Sequence, residues 1–171
     1  TTVCAGATGE TYSVVASGNT YSWTVTGGSI TAGAGTNSIT VTWGGGAGGT
    51  VGITETSAAG CSGSASQAIV INANPVPVIS GDNVVCANEA GVVYSTPSAG
   101  NTYDWTVTGA TSFTGDGSNT ITVTWGAAGP GTVVLQESTA SCSVTTGSYN
   151  VTINANPSPV ITSSNTTVCA G

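Results

Sequence analysis

The chain has 171 residues, seven acidic side chains and no Lys, Arg or His, so its formal charge is −7. Without cationic side chains it cannot neutralise phosphates, which excludes nucleic acid and anionic lipid as electrostatic partners. The lack of His and Lys removes the usual proton shuttle and amine nucleophile, so we predict no enzymatic activity and no cofactor. No apolar run approaches the ~20 residues of a membrane span, so we expect no membrane insertion.

Short segments in which bulky and small polar residues alternate predict half-buried β-strands. In chain order they lie near residues 11–16, 20–26, 39–43, 50–55 and 67–72, between clusters of Gly, Ala, Ser and Asn. No stretch shows helical periodicity. About seven strands in roughly 80 residues are typical of an immunoglobulin-like sandwich of two antiparallel sheets. The predicted fold class is therefore all-β.

The sequence repeats with a period of about 82 residues. A Val-Cys-Ala triplet recurs around Cys4, Cys86 and Cys169, and residues 19–27 recur as residues 101–109. Similarity at a fixed period is the signature of tandem structural repeats. We therefore expect two sandwiches in tandem, cut from a longer array.

Pro-x-Pro segments mark the breaks between the units. Pro75 and Pro77 form the first such segment, and Pro157 and Pro159 form the second. Proline fixes its own φ and restricts the preceding residue, so each segment is held extended and cannot pair as a central strand. The array is therefore predicted to be a stiffly jointed rod.

The four tryptophans favour a core role. Trp23, Trp43, Trp105 and Trp125 are in phase with valines on the apolar face of their strands. Buried aromatic rings of this kind dominate sandwich cores. The alternative is a carbohydrate-binding module, in which exposed rings stack on sugars. The outward Thr pairs of the same strands also leave an ice-binding surface open as a lesser alternative, although threonine favours strands in any case.

Five cysteines permit two pairings that repeat along an array. One pairs Cys4 with Cys61 and Cys86 with Cys142 inside each unit; the other pairs Cys61 with Cys86 and Cys142 with Cys169 between units. We favour the first, because a small sandwich buries little core and gains most from an internal disulfide. Cys169 would then be unpaired or bonded to a further repeat. Five reduced thiols are the remaining possibility.

Metal binding has little support in the sequence. There is no His and no Cys-x-x-Cys motif. The one candidate left open is a Ca²⁺ ion at the joint between the units, met by Asp82 and Glu89, which flank the opening of the second unit; a Ca²⁺ site gathers three or more oxygen ligands.

The motifs occur in a fixed order in each unit. Pro-x-Pro is followed by Val-Cys-Ala, a Tyr-x-Trp-Thr-Val-Thr-Gly segment, Ile-Thr-Val-Thr-Trp-Gly and a second Cys. This set resembles the PKD-like immunoglobulin-fold repeats of large secreted Bacteroidetes surface proteins, over nearly the whole chain. The resemblance implies one repeat at residues 1–74 without its first strand, a complete repeat at 75–156, and the start of another at 157–171.

The same resemblance implies a stalk in type IX-secreted adhesins or gliding-associated surface proteins. We therefore expect a non-catalytic structural repeat in the shaft of an extracellular fibre or cell-surface adhesin. Its partners would be neighbouring repeats, other copies in a fibre, and an attached or bound glycan. A carbohydrate-binding or ice-binding module and a spacer in a secreted multidomain enzyme stay open as alternatives.

Overall fold

The computed structural model describes residues 1–162, in which all regular structure is β-strand. The strands of unit one are β1 (Thr2–Cys4), β2 (Glu10–Ser13), β3 (Thr20–Thr26), β4 (Gly28–Ala32), β5 (Ser38–Trp43), β6 (Gly48–Thr56) and β7 (Ser62–Asn72). The strands of unit two are β8 (Val84–Cys86), β9 (Val92–Ser95), β10 (Thr102–Thr108), β11 (Ala110–Thr114), β12 (Thr120–Trp125), β13 (Gly129–Ser138), β14 (Ser143–Thr145) and β15 (Tyr149–Asn154). This part of the chain contains no helix with the length and hydropathy of a membrane span.

Each unit is a sandwich of two sheets. In unit one a sheet of order β1-β7-β6-β3 faces a sheet of order β2-β5-β4. Unit two repeats the plan with β8-β15-β13-β10 and β9-β12-β11, while β14 pairs with β13 as well. The prediction of tandem all-β sandwiches is confirmed. The first strand of each unit departs from the antiparallel plan, because β1 pairs with β7 and β8 with β15 in parallel.

The alternation in the sequence places one face of each strand in the core. In β5, Ile39, Val41 and Trp43 are buried, and the threonines between them face outward. Their counterparts in β12 form the centre of the second core, which is larger than the first. The core therefore follows directly from the period of two in these strands.

A glycine lets the backbone of β13 pass close to the central indole of unit two. A Cβ atom at Gly131 would lie 2.5 Å from Cζ3 of Trp125, and Gly49 stands in the same relation to Trp43. Any side chain at these positions would collide with a ring that has no room to move. The glycine is therefore a packing requirement in both units.

In the second unit an additional segment lies along one edge of the sandwich. We call residues 75–83 the linker segment. Ser80 and Ser95 exchange backbone hydrogen bonds of 2.9 Å, and Ile79 packs against the core of unit two. The segment lies against residues 146–149, where the counterpart of β7 is split into β14 and β15. Within residues 1–162 nothing covers the same edge of unit one.

Candidate functional site: the joint between the units

The two cysteines of one unit lie at opposite ends of its sandwich. Cys4 ends β1 beside Asn72, the last residue of β7, whereas Cys61 immediately precedes the first residue of β7. Eleven strand residues separate these ends by roughly 35 Å. We call the end that carries Cys61 the upper end and the end that carries Cys4 the lower end.

Unit two has the same arrangement. Cys86 lies beside Asn154 at the lower end, and Cys142 lies in the hairpin between β13 and β14 at the upper end. The length of β13 separates them by about 30 Å. An intra-unit disulfide is therefore impossible in either unit, because bonded cysteines have Cα atoms within about 7 Å of each other.

A disulfide between Cys4 and Cys142 joins the lower end of unit one to the upper end of unit two, with a Cα–Cα distance of 5.7 Å. The predicted pairs Cys4–Cys61 and Cys86–Cys142 are therefore wrong, and the reason is the length of the strands between their members. The alternative pair Cys61–Cys86 is not formed either, because both side chains are exposed free thiols. Since Cys142 is already bonded, it does not pair with Cys169, which lies outside the described residues.

Two backbone carbonyl groups lie close to the disulfide. Cys142 is buried, and its sulfur lies 3.9 Å from the carbonyl oxygen of Asn72. The sulfur of Cys4 lies 3.2 Å from the carbonyl oxygen of Ser141. Pro75, three residues after Asn72, is buried. The joint thus has two covalent connections, the peptide chain and the disulfide.

The upper end of unit two also contains a buried carboxyl group. Glu137 is fully buried; one of its oxygens accepts a hydrogen bond from the Asn101 amide, and the other has no partner in the described structure. Its counterpart Glu55, at the free upper end of unit one, is half-buried and accepts hydrogen bonds from Ser17 and Asn19. These hydrogen bonds lower the pKa of Glu55. Glu55 and Glu137 are one period apart in the sequence, which gives no sign that one of them is buried.

Three of the four tryptophans are buried, and one is not. Trp43, Trp105 and Trp125 are at most 3 % exposed, whereas Trp23 is half-buried. The indole N–H of Trp23 donates to the carbonyl oxygen of Thr36 at 2.8 Å. Its ring therefore presents one side to a groove on unit one.

This groove, which we call the edge groove, runs between the two sheets of unit one. It is lined by Tyr12, Trp23, Val51, Ile53 and the residues of β7 from 65 to 67. The equivalent edge of unit two is where the linker segment lies and where Ile79 enters the core. The edge groove is thus the place that a linker segment occupies in the other unit.

Of the two acidic residues considered for calcium, Glu89 uses its carboxylate in another contact, whereas Asp82 contributes a contact through its backbone carbonyl group. Glu89 accepts a 2.6 Å hydrogen bond from the backbone N–H of Cys86, and the carbonyl oxygen of Asp82 accepts one of 2.7 Å from Tyr94. Over residues 1–162 no three Cys, Asp or Glu side chains gather as a metal site.

The Pro-x-Pro segments differ in their surroundings. Pro75 is buried and Pro77 half-buried, whereas Pro157 and Pro159 are exposed. The first segment is thus partly covered by neighbouring residues. The second segment follows β15 at the lower end of unit two. Among the described residues, those that follow β15 form no strand.

Several solved structures align with this chain at low sequence identity. The insect immune protein hemolin aligns with a TM-score of 0.44 and 9% identity over 91% of this chain and 44% of its own. The tandem Ig repeats of Dlar give 0.38 and 10% over 91% and 93%, and the human desmocollin-1 ectodomain gives 0.35 and 11% over 94% and 37%. The chain thus spans less than half of hemolin and of the desmocollin ectodomain. No curated protein matches it. The PKD-like domain family matches residues 1–71 and again residues 72–153, so the chain belongs to the PKD-like domain family.

Proposed function

We propose that the chain is a non-catalytic spacer in the shaft of an extracellular fibre or surface adhesin. The observation that carries this proposal is the disulfide between Cys4 and Cys142, which gives the joint a second covalent connection. A single Pro-containing linker restrains distance but permits bending, whereas two connections at separate points restrain direction as well. A shaft needs both restraints.

The disulfide also supports an extracellular location. Disulfides persist in oxidising compartments and are rare in reducing ones. The absence of Lys and Arg adds to this, because proteases that cleave after basic residues find no site in the chain. The cell-surface setting that the PKD-like repeats of Bacteroidetes suggest is part of the same proposal.

Small-angle X-ray scattering tests whether the joint is stiff. The oxidised chain is compared with the Cys4→Ser/Cys142→Ser double variant, and Cys61→Ser serves as the control because Cys61 is an exposed free thiol. We expect one inter-unit angle to describe the oxidised chain and the control, and a broad distribution to describe the double variant. An equally broad distribution in all three proteins would contradict the spacer function.

The second candidate function is carbohydrate binding, and the observation that favours it is the half-buried ring of Trp23. Its ring lines the edge groove together with Tyr12, so two aromatic side chains are available there to contact a sugar. A panel of glycans is titrated against wild-type protein and Trp23→Phe, with tryptophan fluorescence as the signal. A saturable shift that disappears in the variant would favour the binding module over the spacer.

A further inference from the structure

Strand β3 forms a free edge of its sheet. Among the described residues it pairs with β6 on one side and with no strand on the other, and β10 has the same position in unit two. The unpaired N–H and C=O groups of such an edge can take up a further strand. We infer that β3 pairs with β3 of a second copy of this chain, antiparallel and centred on Trp23. The inference goes beyond the spacer function and does not depend on it.

Neighbouring repeats leave this edge open. Unit one has a repeat after it and unit two has a repeat before it, and β3 and β10 are edges all the same. The joint lies at the ends of the sandwiches, whereas β3 and β10 run along their sides. A further repeat of the same chain continues the array beyond its ends and does not reach the side. The partner of β3 is therefore a separate molecule that lies alongside.

Alternate residues of the two edge strands point their backbone groups away from the sheet. The N–H of Trp105 donates to a carboxylate oxygen of Asp116 at 3.0 Å and not to β13. Trp23 has the same place in the register of β3 with β6, so its N–H also points outward. Because the strand period is two, Tyr21 and Val25 present their N–H and C=O groups on the same side.

A side chain occupies the central N–H in unit two and is missing in unit one. The turns that follow β4 and β11 are built alike, and each accepts the indole N–H of its edge strand. These bonds are Thr36 N–H to Gly33 O at 3.0 Å, Ser118 N–H to Gly115 O at 3.1 Å, Trp23 Nε1–H to Thr36 O at 2.8 Å, and Trp105 Nε1–H to Ser118 O at 2.9 Å. The second turn adds Asp116, whose counterpart one period earlier is Ala34. Alanine offers no acceptor, so the N–H of Trp23 is open to a partner strand.

The edge of unit one also lacks the charge that the edge of unit two carries. Asp104 is exposed on the outer face of β10, and its counterpart on β3 is Ser22. Charged side chains on an edge strand oppose pairing with another edge. The edge of unit two is therefore protected twice, by Asp104 and by Asp116, whereas that of unit one is uncharged and open.

The other sheet edges of the described chain do not match β3. Strands β1, β8 and β14 have three residues each, and β4 and β11 contain a register shift. Short strands and bulges both oppose edge pairing. Strand β2 and the part of β7 that β1 does not cover form the edge that the linker segment occupies in unit two. The edge that equals β3 in length, regularity and open N–H groups is therefore β3 of another copy.

Two β3 strands are complementary in antiparallel orientation. Trp23 is the middle residue of Thr20–Thr26, so a two-fold axis through it pairs all seven residues of each strand. The two Trp23 residues then exchange N–H···O bonds, and Tyr21 pairs with Val25 on either side. Both copies use the same surface, so the association closes at a dimer.

Sedimentation equilibrium tests the association. Every protein carries Cys61→Ser, Cys86→Ser and Cys169→Ser, so that free thiols play no part. We expect the parent chain to dimerise, and Ala34→Asp to raise the dissociation constant about tenfold or more, because the new carboxylate occupies the central N–H of both strands. Ala128→Asp, which adds the same charge at an exposed loop residue of unit two, is the matched control and should leave the constant unchanged.

Two results of this experiment would overturn the inference. One is a parent chain that stays monomeric at millimolar concentration. The other is an equal dissociation constant for Ala34→Asp and Ala128→Asp. A thermal melt of each protein shows that the substitution has left the fold intact.

The reverse exchange tests the protection of unit two. Asp104→Ser with Asp116→Ala gives β10 the side chain and the open N–H of β3, so each chain then has two pairing edges. We expect species larger than the dimer. A distribution that still ends at the dimer would overturn the inference, because an edge of the same kind would have failed to pair.

Cysteine cross-linking tests the register. With the axis at Trp23, Ser22 of one copy lies opposite Thr24 of the other, with Cα atoms about 4.5 Å apart, which a disulfide can span. Ser22→Cys and Thr24→Cys chains are oxidised with glutathione disulfide, which is reduced to two thiols as the protein disulfide forms. We expect disulfide-linked dimers from an equal mixture and few from either chain alone. Equal yields from Ser22→Cys alone and from the mixture would overturn the inferred pairing.

Discussion

Removal of the joint disulfide is predicted to destabilise both units by equal amounts. When unit one is folded, Cys4 is held beside Asn72, so the bond to Cys142 closes a loop across a separation of 70 residues. A loop of that length corresponds to about 4 kcal/mol of unfolded-state entropy. When unit two is folded, Cys142 is held in place, so the bond closes a loop that runs from Cys4 through unit one to the start of unit two. This loop has a similar length. Each unit therefore depends on a bond to the other.

Guanidinium unfolding, followed by hydrogen exchange in each unit, measures this effect. With a slope of roughly 2 kcal/mol per molar, a loss of about 4 kcal/mol lowers the midpoint by about 2 M. Cys4→Ser, Cys142→Ser and the double variant should give the same shift in both units, because they remove the same bond. Cys61→Ser, with its exposed thiol, should give none.

Two results would refute the reasoning. If Cys4→Ser destabilised only unit one and Cys142→Ser only unit two, with additive effects in the double variant, the bonds would lie inside the units. If Cys61→Ser cost as much as Cys4→Ser, Cys61 would be a bonded residue.

Three further predictions concern single side chains. Gly131→Ala should cost about 1–3 kcal/mol in a thermal or denaturant melt because its Cβ meets the Trp125 ring, whereas Gly147→Ala, where a Cβ meets nothing within 4 Å, should cost far less. Hydrogen bonds hold the pKa of Glu55 below its ordinary 4.5, so its contribution to stability is present above that pH and is lost as the pH falls through the lower value; Glu55→Gln should flatten the acid side of the Tm–pH profile. Burial raises the pKa of Tyr94 from 10.0 to about 12, so its contribution is full below pH 10.0 and is lost as the pH rises through 12; the absorbance of tyrosinate should show a late-titrating phenol that Tyr94→Phe removes.

Strands with strict alternation were predictable from the sequence, and those without it were not. The alternation of Trp23 and its neighbours located β3, and that of Ile39 to Trp43 located β5. Strands β1 and β4 are too short and too polar to show a period, and they exist because a neighbour supplies their hydrogen bonds. The first half of β7 contains only small residues, and its pairing with β6 extends it to Ser62. Tertiary contacts override local pattern in these places.

The joint could not be predicted because a repeat fixes which residues are equivalent but not where they lie. The predicted pairing of Cys4 with Cys61 rests only on their belonging to one unit. Their positions depend on the parallel pairing of β1 with β7, a contact between residues about 70 apart. The length of β7 was the missing signal, since its full extent between Cys61 and Asn72 shows that they are at opposite ends.

The two bonded cysteines are far apart in the sequence, and this separation changes how the molecule responds to stretching. Cys4 and Cys142 are 138 residues apart, so a pull applied before the first and after the second passes through the sulfur atoms and bypasses the chain between them. Most of both sandwiches then carries no tension, and unfolding within the bridged region adds no length. Such a molecule is a tether of fixed extension, and reducing agents would convert it into a longer, compliant one.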